Sequence, residues 1–269
     1  MRPTSITEQD ETFLRDVRLA LTDDEAFSRL KQLPGIKGAI ERLSPQRGAE
    51  YRAIIINQTP ALLDRLDVFR ENDAIGSPDL AQYPEGRISP TTWRYIKVVS
   101  DLELLFGSLE GWHIAEIGVG YGGQCKVLSD AHALGSYTFY DLEPVVNLAA
   151  KYARETGSPV AGKLHLADFR RLGHEPPETF DLVISNWALS ECTIEVQDKY
   201  IEHVLRRSRH GYITYNQISH IRGVESYRKQ AFLDVLGFPV ETMPEGLSGP
   251  VPEEMENFIV HWSRQPFLE

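Results

Sequence analysis

The sequence predicts an α/β protein, a seven-stranded sheet with crossover helices preceded by a helical cap. Three observations carry that prediction. Residues 114–128, IAEIGVGYGGQCKVL, set an apolar run with an acid at Glu116, then four glycines, then a helical segment, in the order strand, turn, helix. From residue 112 onward short apolar runs alternate with helical patterns, as strands joined by crossover helices do. The strand ends carry Asp141, Asp168 and Asn186, on the edge where open sheets meet their ligands.

Residues 1–72 read as helices and connections. A helix opens at Asp24-Glu25 with Thr22 or Asp23 as its cap. Pro34-Gly35 and Ser44-Pro45 interrupt the pattern. Residues 53–56 with Leu62, Leu63, Leu66 and Phe69 keep helical spacing, with Pro60 in a first-turn position. This part reads as a cap on the main domain and a candidate surface for a homodimer. Residues 73–110 hold a Gly-, Pro- and Ser-rich stretch, read as a linker or lid, and then an amphipathic helix. That helix covers 91–106, with Ile96, Val99, Leu102, Leu105 and Phe106 on one side and Gly107 as its stop.

The main domain fills 111–269. Strands are expected at 112–117, 136–140, 163–166, 180–185, 211–215, 240–243 and 258–261. Helices are expected at 123–134, 145–156, 192–207 and 225–236. A turn-rich connection (Pro244, Gly246, Gly249, Pro250, Pro252) joins the last two strands.

Composition narrows the function. A net charge of -11 argues against nucleic acid or an anionic membrane as main partner, since both favour a basic face. No apolar run nears the roughly 18 residues of a membrane span, and the N-terminus lacks the apolar core of a secretory signal. Cys125 and Cys192 have no paired spacing, so neither a disulfide framework nor a zinc site is indicated, and a cytoplasmic setting fits. The eight histidines show no i, i+4 metal pair, and no metal is expected.

The glycine turn suits the polar end of a nucleotide-like cofactor. Glycine admits a ligand close to the backbone, and the helix behind offers free N–H groups. Gly118-x-Gly120-x-x-Gly123 satisfies a dinucleotide reading, and Glu116-x-Gly118-x-Gly120-x-Gly122 a methyltransferase reading. Asp141, 25 residues after Glu116, is placed to accept from a ribose diol, with Glu143 as a second candidate. Asp168, with Phe169 beside it, is placed to accept from an adenine amino group. The stretch FDLVISNWALSE (180–191) opens from an apolar strand into Asn186, Trp187, Ser190 and Glu191. His220, after the fifth strand, is a candidate general base.

Several stretches together resemble the sugar O-methyltransferases, a family of class I S-adenosylmethionine-dependent enzymes with members in natural-product pathways. They are SPTTWRYIKVVSDLELLFG (89–107), IAEIGVGYGGQCKVL (114–128), FYDLEPVVNLAAKY (139–152) and DLVISNWALSE (181–191). RHGYITYNQ (209–217) and NFIVHW (257–262) extend the likeness, which runs from about residue 72 to the C-terminus. The resemblance implies a Rossmann-like, mostly parallel sheet of seven strands with the last antiparallel. It implies S-adenosylmethionine, its methionine part near Glu116, Gly118 and Gly120, its ribose on Asp141 and its adenine by Asp168 and Phe169. Asn186 and Trp187 would lie by the sulfonium. Arg87, Ser89 and Thr92 would close over the cofactor.

The expected reaction is in-line methyl transfer to a hydroxyl of a sugar-like small molecule, with His220 or Glu191 as base. An NAD-dependent oxidoreductase is the alternative, disfavoured because Glu116 would face a pyrophosphate. A non-catalytic subunit that keeps the fold is a third reading.

Overall fold

The computed structural model describes residues 4–174, 178–246 and 257–265. The N-terminal part contains α1 (Ile6–Gln9), α2 (Glu11–Thr22), α3 (Asp24–Ser28), α4 (Pro34–Ala39), α5 (Pro45–Gln58) and α6 (Leu66–Phe69). Local signals set these boundaries. Asp23 accepts from the Ala26 N–H at 2.7 Å, and Ser44 from the Arg47 N–H at 3.3 Å. Pro34 and Pro45 each begin a helix, so the two expected interruptions are helix starts. The apolar run from residue 53 is not one helix. α5 stops at Gln58, and Pro60–Arg65 forms a 3-10 turn before α6.

The stretch read as a linker or lid holds a small antiparallel hairpin, β1 (Ala81–Tyr83) with β2 (Gly86–Ile88). Strands of three residues are too short to show alternation. α7 (Pro90–Phe106) follows, capped by Ser89, whose hydroxyl accepts from the Thr92 N–H at 3.1 Å. It stops at Gly107, whose φ of 77° suits glycine.

The main sheet contains β3 (His113–Ile117), β4 (Ser136–Asp141), β5 (Leu164–Asp168), β6 (Phe180–Asn186), β7 (Ser208–Tyr215), β8 (Glu241–Pro244) and β9 (Phe258–Ser263). Its order is β5-β4-β3-β6-β7-β9-β8, and only β9 runs antiparallel to its neighbours. α8 (Gly123–Ala131), α9 (Glu143–Glu155), α10 (Ile194–His203) and α11 (Lys229–Leu236) lie among these strands in the chain. This is the expected Rossmann-like sheet of seven strands. Gly249, Pro250 and Pro252 of the expected turn-rich connection lie outside the described residues.

Two helices, α10 and α11, begin later than expected because tertiary partners claim the residues before them. Before α11, the Tyr227 N–H donates to Gln197 Oε1 at 2.9 Å and the Ile194 N–H to the Glu225 carbonyl at 2.9 Å. Before α10, Cys192 pairs with Ser5 in an isolated bridge.

The chain moves outward from β3 through β4 to β5, then returns to place β6 on the other side of β3. Strand order therefore reverses between β3 and β6, where an open sheet leaves a crevice at its carboxyl edge. One apolar core runs through the whole chain. It joins Phe13, Val17, Ile36 and Phe69 of the N-terminal helices to Ile114, Phe139, Val183 and Ile213 of the sheet. α2 packs on α9, and α5 on α7.

A buried ion pair fixes α7 to the sheet. Lys97 Nζ lies 2.7 Å from Asp101 Oδ2, both nearly sealed from solvent, and the Tyr212 hydroxyl of β7 donates to the same oxygen at 2.6 Å. Removing one member strands a buried charge, which costs about 3–5 kcal/mol. Asp101→Ala should lose that much stability in urea unfolding, and Lys97→Met in the same chain should restore a large part of it.

Candidate active site

The carboxyl edge of β3 passes into the glycine turn. Gly118 (φ 79°) and Gly120 (φ 55°) hold conformations that L side chains rarely adopt. They are also crowded. A Cβ on Gly118 would meet the Ala188 Cβ at 1.9 Å, and one on Gly120 would meet Ile40 Cδ1 at 2.8 Å. So the loop after β6 and the connection after α4 both lean on the turn.

Two acids stand behind it. Glu116 is buried on β3 and accepts from the Tyr137 hydroxyl at 2.9 Å. Burial pushes its carboxyl up to about 8, countered in part by that hydrogen bond. Asp141, at the end of β4, accepts from the Val119 N–H at 3.1 Å and from the Leu142 N–H at 2.7 Å. Desolvation raises it to about 7 against these donors.

A cleft of about 400 Å³ opens in front of the turn. Its floor is Glu116, Gly118, Val119, Gly120 and Asp141. One wall is Asn186, Trp187, Ala188 and Glu191 after β6, with Asn216, Gln217 and Ile218 after β7. The opposite wall comes from the cap and α7, through Ile40, Arg42, Leu43, Arg47, Tyr51 and Arg94. Glu245, after β8, closes one end and accepts from the Tyr51 hydroxyl at 2.8 Å.

Trp187 has φ 65°, unusual for a bulky residue, which costs of order 1–3 kcal/mol. Its N–H donates to the Thr214 carbonyl at 2.9 Å, and the Arg94 guanidinium stands 5.1 Å from its ring centre. Arg94 also stands over Tyr95 at 5.2 Å and has no carboxylate within ion-pair distance among the described residues.

Beyond Asp141 lies a second cavity of about 50 Å³, lined by Leu142, Phe169, Cys192 and Tyr200. It shares Gly118, Asp141 and Ala188 with the main cleft, so the two meet at Asp141. Thr4 and Ser5 cover it. The Thr193 N–H donates to the Thr4 carbonyl at 2.9 Å, and Glu8 pairs with Arg170 at 2.8 Å.

The structure thus gathers Glu116, Gly118, Gly120, Asp141, Asn186, Trp187 and Glu191 on one cleft, with Phe169 in the adjoining cavity. It places the other expected residues elsewhere. Glu143 is exposed in the first turn of α9 and lines neither cavity, because Leu142 takes the position beside Asp141. Asp168 also lies outside both linings; it accepts from the Arg170 N–H at 3.0 Å. Ser89 and Thr92 are buried in a capping network in which the Thr92 hydroxyl donates to Asp73 at 2.7 Å. Arg87 is exposed on β2, so these three residues do not close over the cleft. His220 sits on the turn Ile218–His220, which gives Ile218 and not His220 to the cleft wall; His220 Nε2 is buried without a hydrogen-bond partner.

Arg94, Tyr51, Glu245 and the wall from Ile40 to Arg47 were absent from the expected site. Arg94 alone left a trace in the sequence, a cation between Trp93 and Tyr95 on a helix otherwise buried over most of its length. Among the described residues no group of His, Cys, Asp and Glu could hold a metal ion, and no helix is long and apolar enough to cross a membrane.

Residues 115–213 match the family model of the methyltransferase domain, a domain whose cofactor is S-adenosylmethionine. The fold has solved likenesses. An S-adenosylmethionine-dependent methyltransferase from Clostridium acetobutylicum ATCC 824 aligns with a TM-score of 0.50 at 10% identity, over 62% of this chain and 89% of that one. The N-methyltransferase NodS from Bradyrhizobium japonicum WM9, in complex with S-adenosylhomocysteine, gives 0.48 at 14% identity, over 62% and 84%. Magnesium protoporphyrin IX methyltransferase from Synechocystis PCC 6803 with bound S-adenosylmethionine gives 0.47 at 18%, over 80% and 97%. At these identities the likeness concerns the fold. No curated protein matches the chain. The matched stretch contains β3 to β7 almost entire, with the glycine turn, Asp141 and the Asn186–Glu191 wall.

The two buried acids have a measurable consequence. A carboxyl raised in the folded state stabilises below the ordinary carboxylate range, and that contribution is lost as pH rises through its folded value. For Glu116 the window runs from about 4.5 to about 8. Glu116→Gln, which keeps an acceptor for Tyr137, should therefore gain stability over the parent as pH rises. The gain should be small at pH 5 and roughly 1–3 kcal/mol at pH 8.5; urea unfolding of both proteins at the two pH values checks it.

Proposed function

We propose that this chain transfers a methyl group from S-adenosylmethionine to a hydroxyl of a sugar or glycosylated small molecule. The observation that supports it most is the placement of Asp141 at the junction of the two cavities. An elongated ligand with a diol at its middle fits there, its amino-acid end over the glycine turn and its base toward Phe169 and Leu142. The donor set fits as well. Asp141 would accept from the ribose hydroxyls, Glu116 would lie behind the methionine part, and Arg94 would take the carboxylate. When bound, S-adenosylmethionine supplies an already activated methyl on a sulfonium. The protein's tasks are then alignment, exclusion of water and removal of one proton.

Asn186 and Trp187 face the cleft from the end of β6, where they would border the reacting centre. The hydroxyl acceptor follows from the family resemblance and from the polar wall of Glu191, Asn216 and Gln217. Of the two expected bases, Glu191 faces the cleft and His220 does not. Burial raises the Glu191 carboxyl, with Arg42, a hydrogen bond to Asn216 and Arg222 opposing. A carboxylate so displaced suits a general base, a role worth about 10²–10⁴ in rate.

Calorimetric titration with S-adenosylmethionine, S-adenosylhomocysteine and NAD tests the cofactor. Micromolar binding of the first two, reduced at least tenfold by Asp141→Ala, is the expected result. Binding of NAD alone would sink the proposal. Glu191→Gln should keep S-adenosylhomocysteine affinity and lose at least a hundredfold in turnover; retained turnover would remove Glu191 as the base.

A further inference from the structure

We infer that the acceptor is longer than one sugar ring, a glycoside whose second ring lays a hydroxyl on Glu245 at the end of the cleft. The inference rests on the methyltransferase reading and names the class of its acceptor. Glu245 lines the cleft and is 3% exposed. The Tyr51 hydroxyl donates to its Oε1 at 2.8 Å. Among the described residues nothing donates to its Oε2, and no cation forms an ion pair with it. Lys97 and Arg94 act on it at longer range, and Lys97 is already paired with Asp101 at 2.7 Å. Oε2 is not among the sealed polar atoms that lack a partner, so it opens on the cleft. A carboxyl buried this deeply is costly until donors satisfy it, and a ligand hydroxyl can reach this oxygen.

Strand order identifies the ligand that supplies that hydroxyl. Along the carboxyl edge Asp141 ends β4, the glycine turn follows β3, Asn186 ends β6, Asn216 follows β7 and Glu245 follows β8. The methyltransferase reading fills the positions over β4 and β3 with the cofactor and puts the reacting centre beside Asn186 and Trp187. From β6 to β8 the sheet order counts three strand spacings, about 14 Å. One glutamate side chain shortens that gap without closing it. A hydroxyl that reacts beside Asn186 and a hydroxyl that rests on Glu245 therefore belong to different rings of one molecule. The walls between them suit such a molecule. Asn216, Gln217 and Asn257 offer polar groups from the sheet edge, and Ile40 and Leu43 an apolar face from the cap. A pyranose has the same two characters, hydroxyls around its rim and C–H groups on its faces.

The test uses the full chain saturated with S-adenosylhomocysteine and titrated with glucose, maltose and cellobiose. The two disaccharides present their far hydroxyls at different angles. At least one of them should bind roughly tenfold or more tightly than glucose, the effect of one hydrogen bond to a charged group. Glu245→Ala should lose that preference while S-adenosylhomocysteine affinity, which also reports folding, stays unchanged. Glu245→Gln should keep part of it. Tyr51→Phe, which breaks the tie between cap and sheet and leaves the carboxyl in place, should keep most of it. Disaccharides that bind no better than glucose, or a preference that survives in Glu245→Ala, would overturn the inference while leaving the cofactor reading intact. So would a loss in Tyr51→Phe as complete as in Glu245→Ala, since the pair would then be a strut. Failure of S-adenosylhomocysteine to bind the parent protein would overturn both.

Discussion

The hydrogen bonds from the Val119 and Leu142 N–H groups to the Asp141 carboxyl tie the glycine turn to the end of β4. Much of the site follows from that tie. For the Val119 N–H to face Asp141, the residues on either side must turn with positive φ, and both are glycine. With no Cβ at Gly118, the chain after β6 comes down onto the turn, and Ala188 fills the space. That descent holds Trp187 in its unusual conformation, with its N–H bonded to Thr214 on the neighbouring strand. An acid, a turn and an aromatic wall are thus coupled through three backbone contacts.

The N-terminal helices complete this arrangement as part of the same core. Lys31 is fully buried, and its ammonium stands 5.1 Å from the Tyr121 ring of the glycine turn and 5.3 Å from the Tyr152 ring of α9. It donates to the Asn72 carbonyl, and burial holds its pKa below the usual lysine range. A lysine in that position anchors the cap to the back of the turn. From the front, Ile40 touches Gly120, and Tyr51 reaches across to Glu245. The cleft has a sheet edge for one side and the cap for the other.

Much of this was legible in the sequence, and the reasons for success and failure are physical. The strands of the main sheet announce themselves because buried parallel strands are continuous apolar runs, such as FDLVIS before Asn186. Glu116, the glycines and Asp141 stand at fixed offsets from those runs, so they could be placed. Glu143 could not be separated from Asp141 without the backbone direction after β4. Ser89 and Thr92 are hydroxyl residues before and inside a helix start, where capping competes with ligand binding, and capping holds them here. Arg42, Tyr51 and Glu245 reach the cleft through contacts distant in sequence, which no local pattern encodes. The 3-10 turn at Ile218–His220 rotates His220 out of the wall.

The backbone contacts of Ser5 with Cys192 and of Thr4 with Thr193 cover the smaller cavity. A ligand spanning both cavities would be enclosed at its base end by the first residues of the chain and bounded at its other end by whatever occupies the cap side. Opening the smaller cavity on that side requires a short stretch of backbone to let go of Cys192 and Thr193.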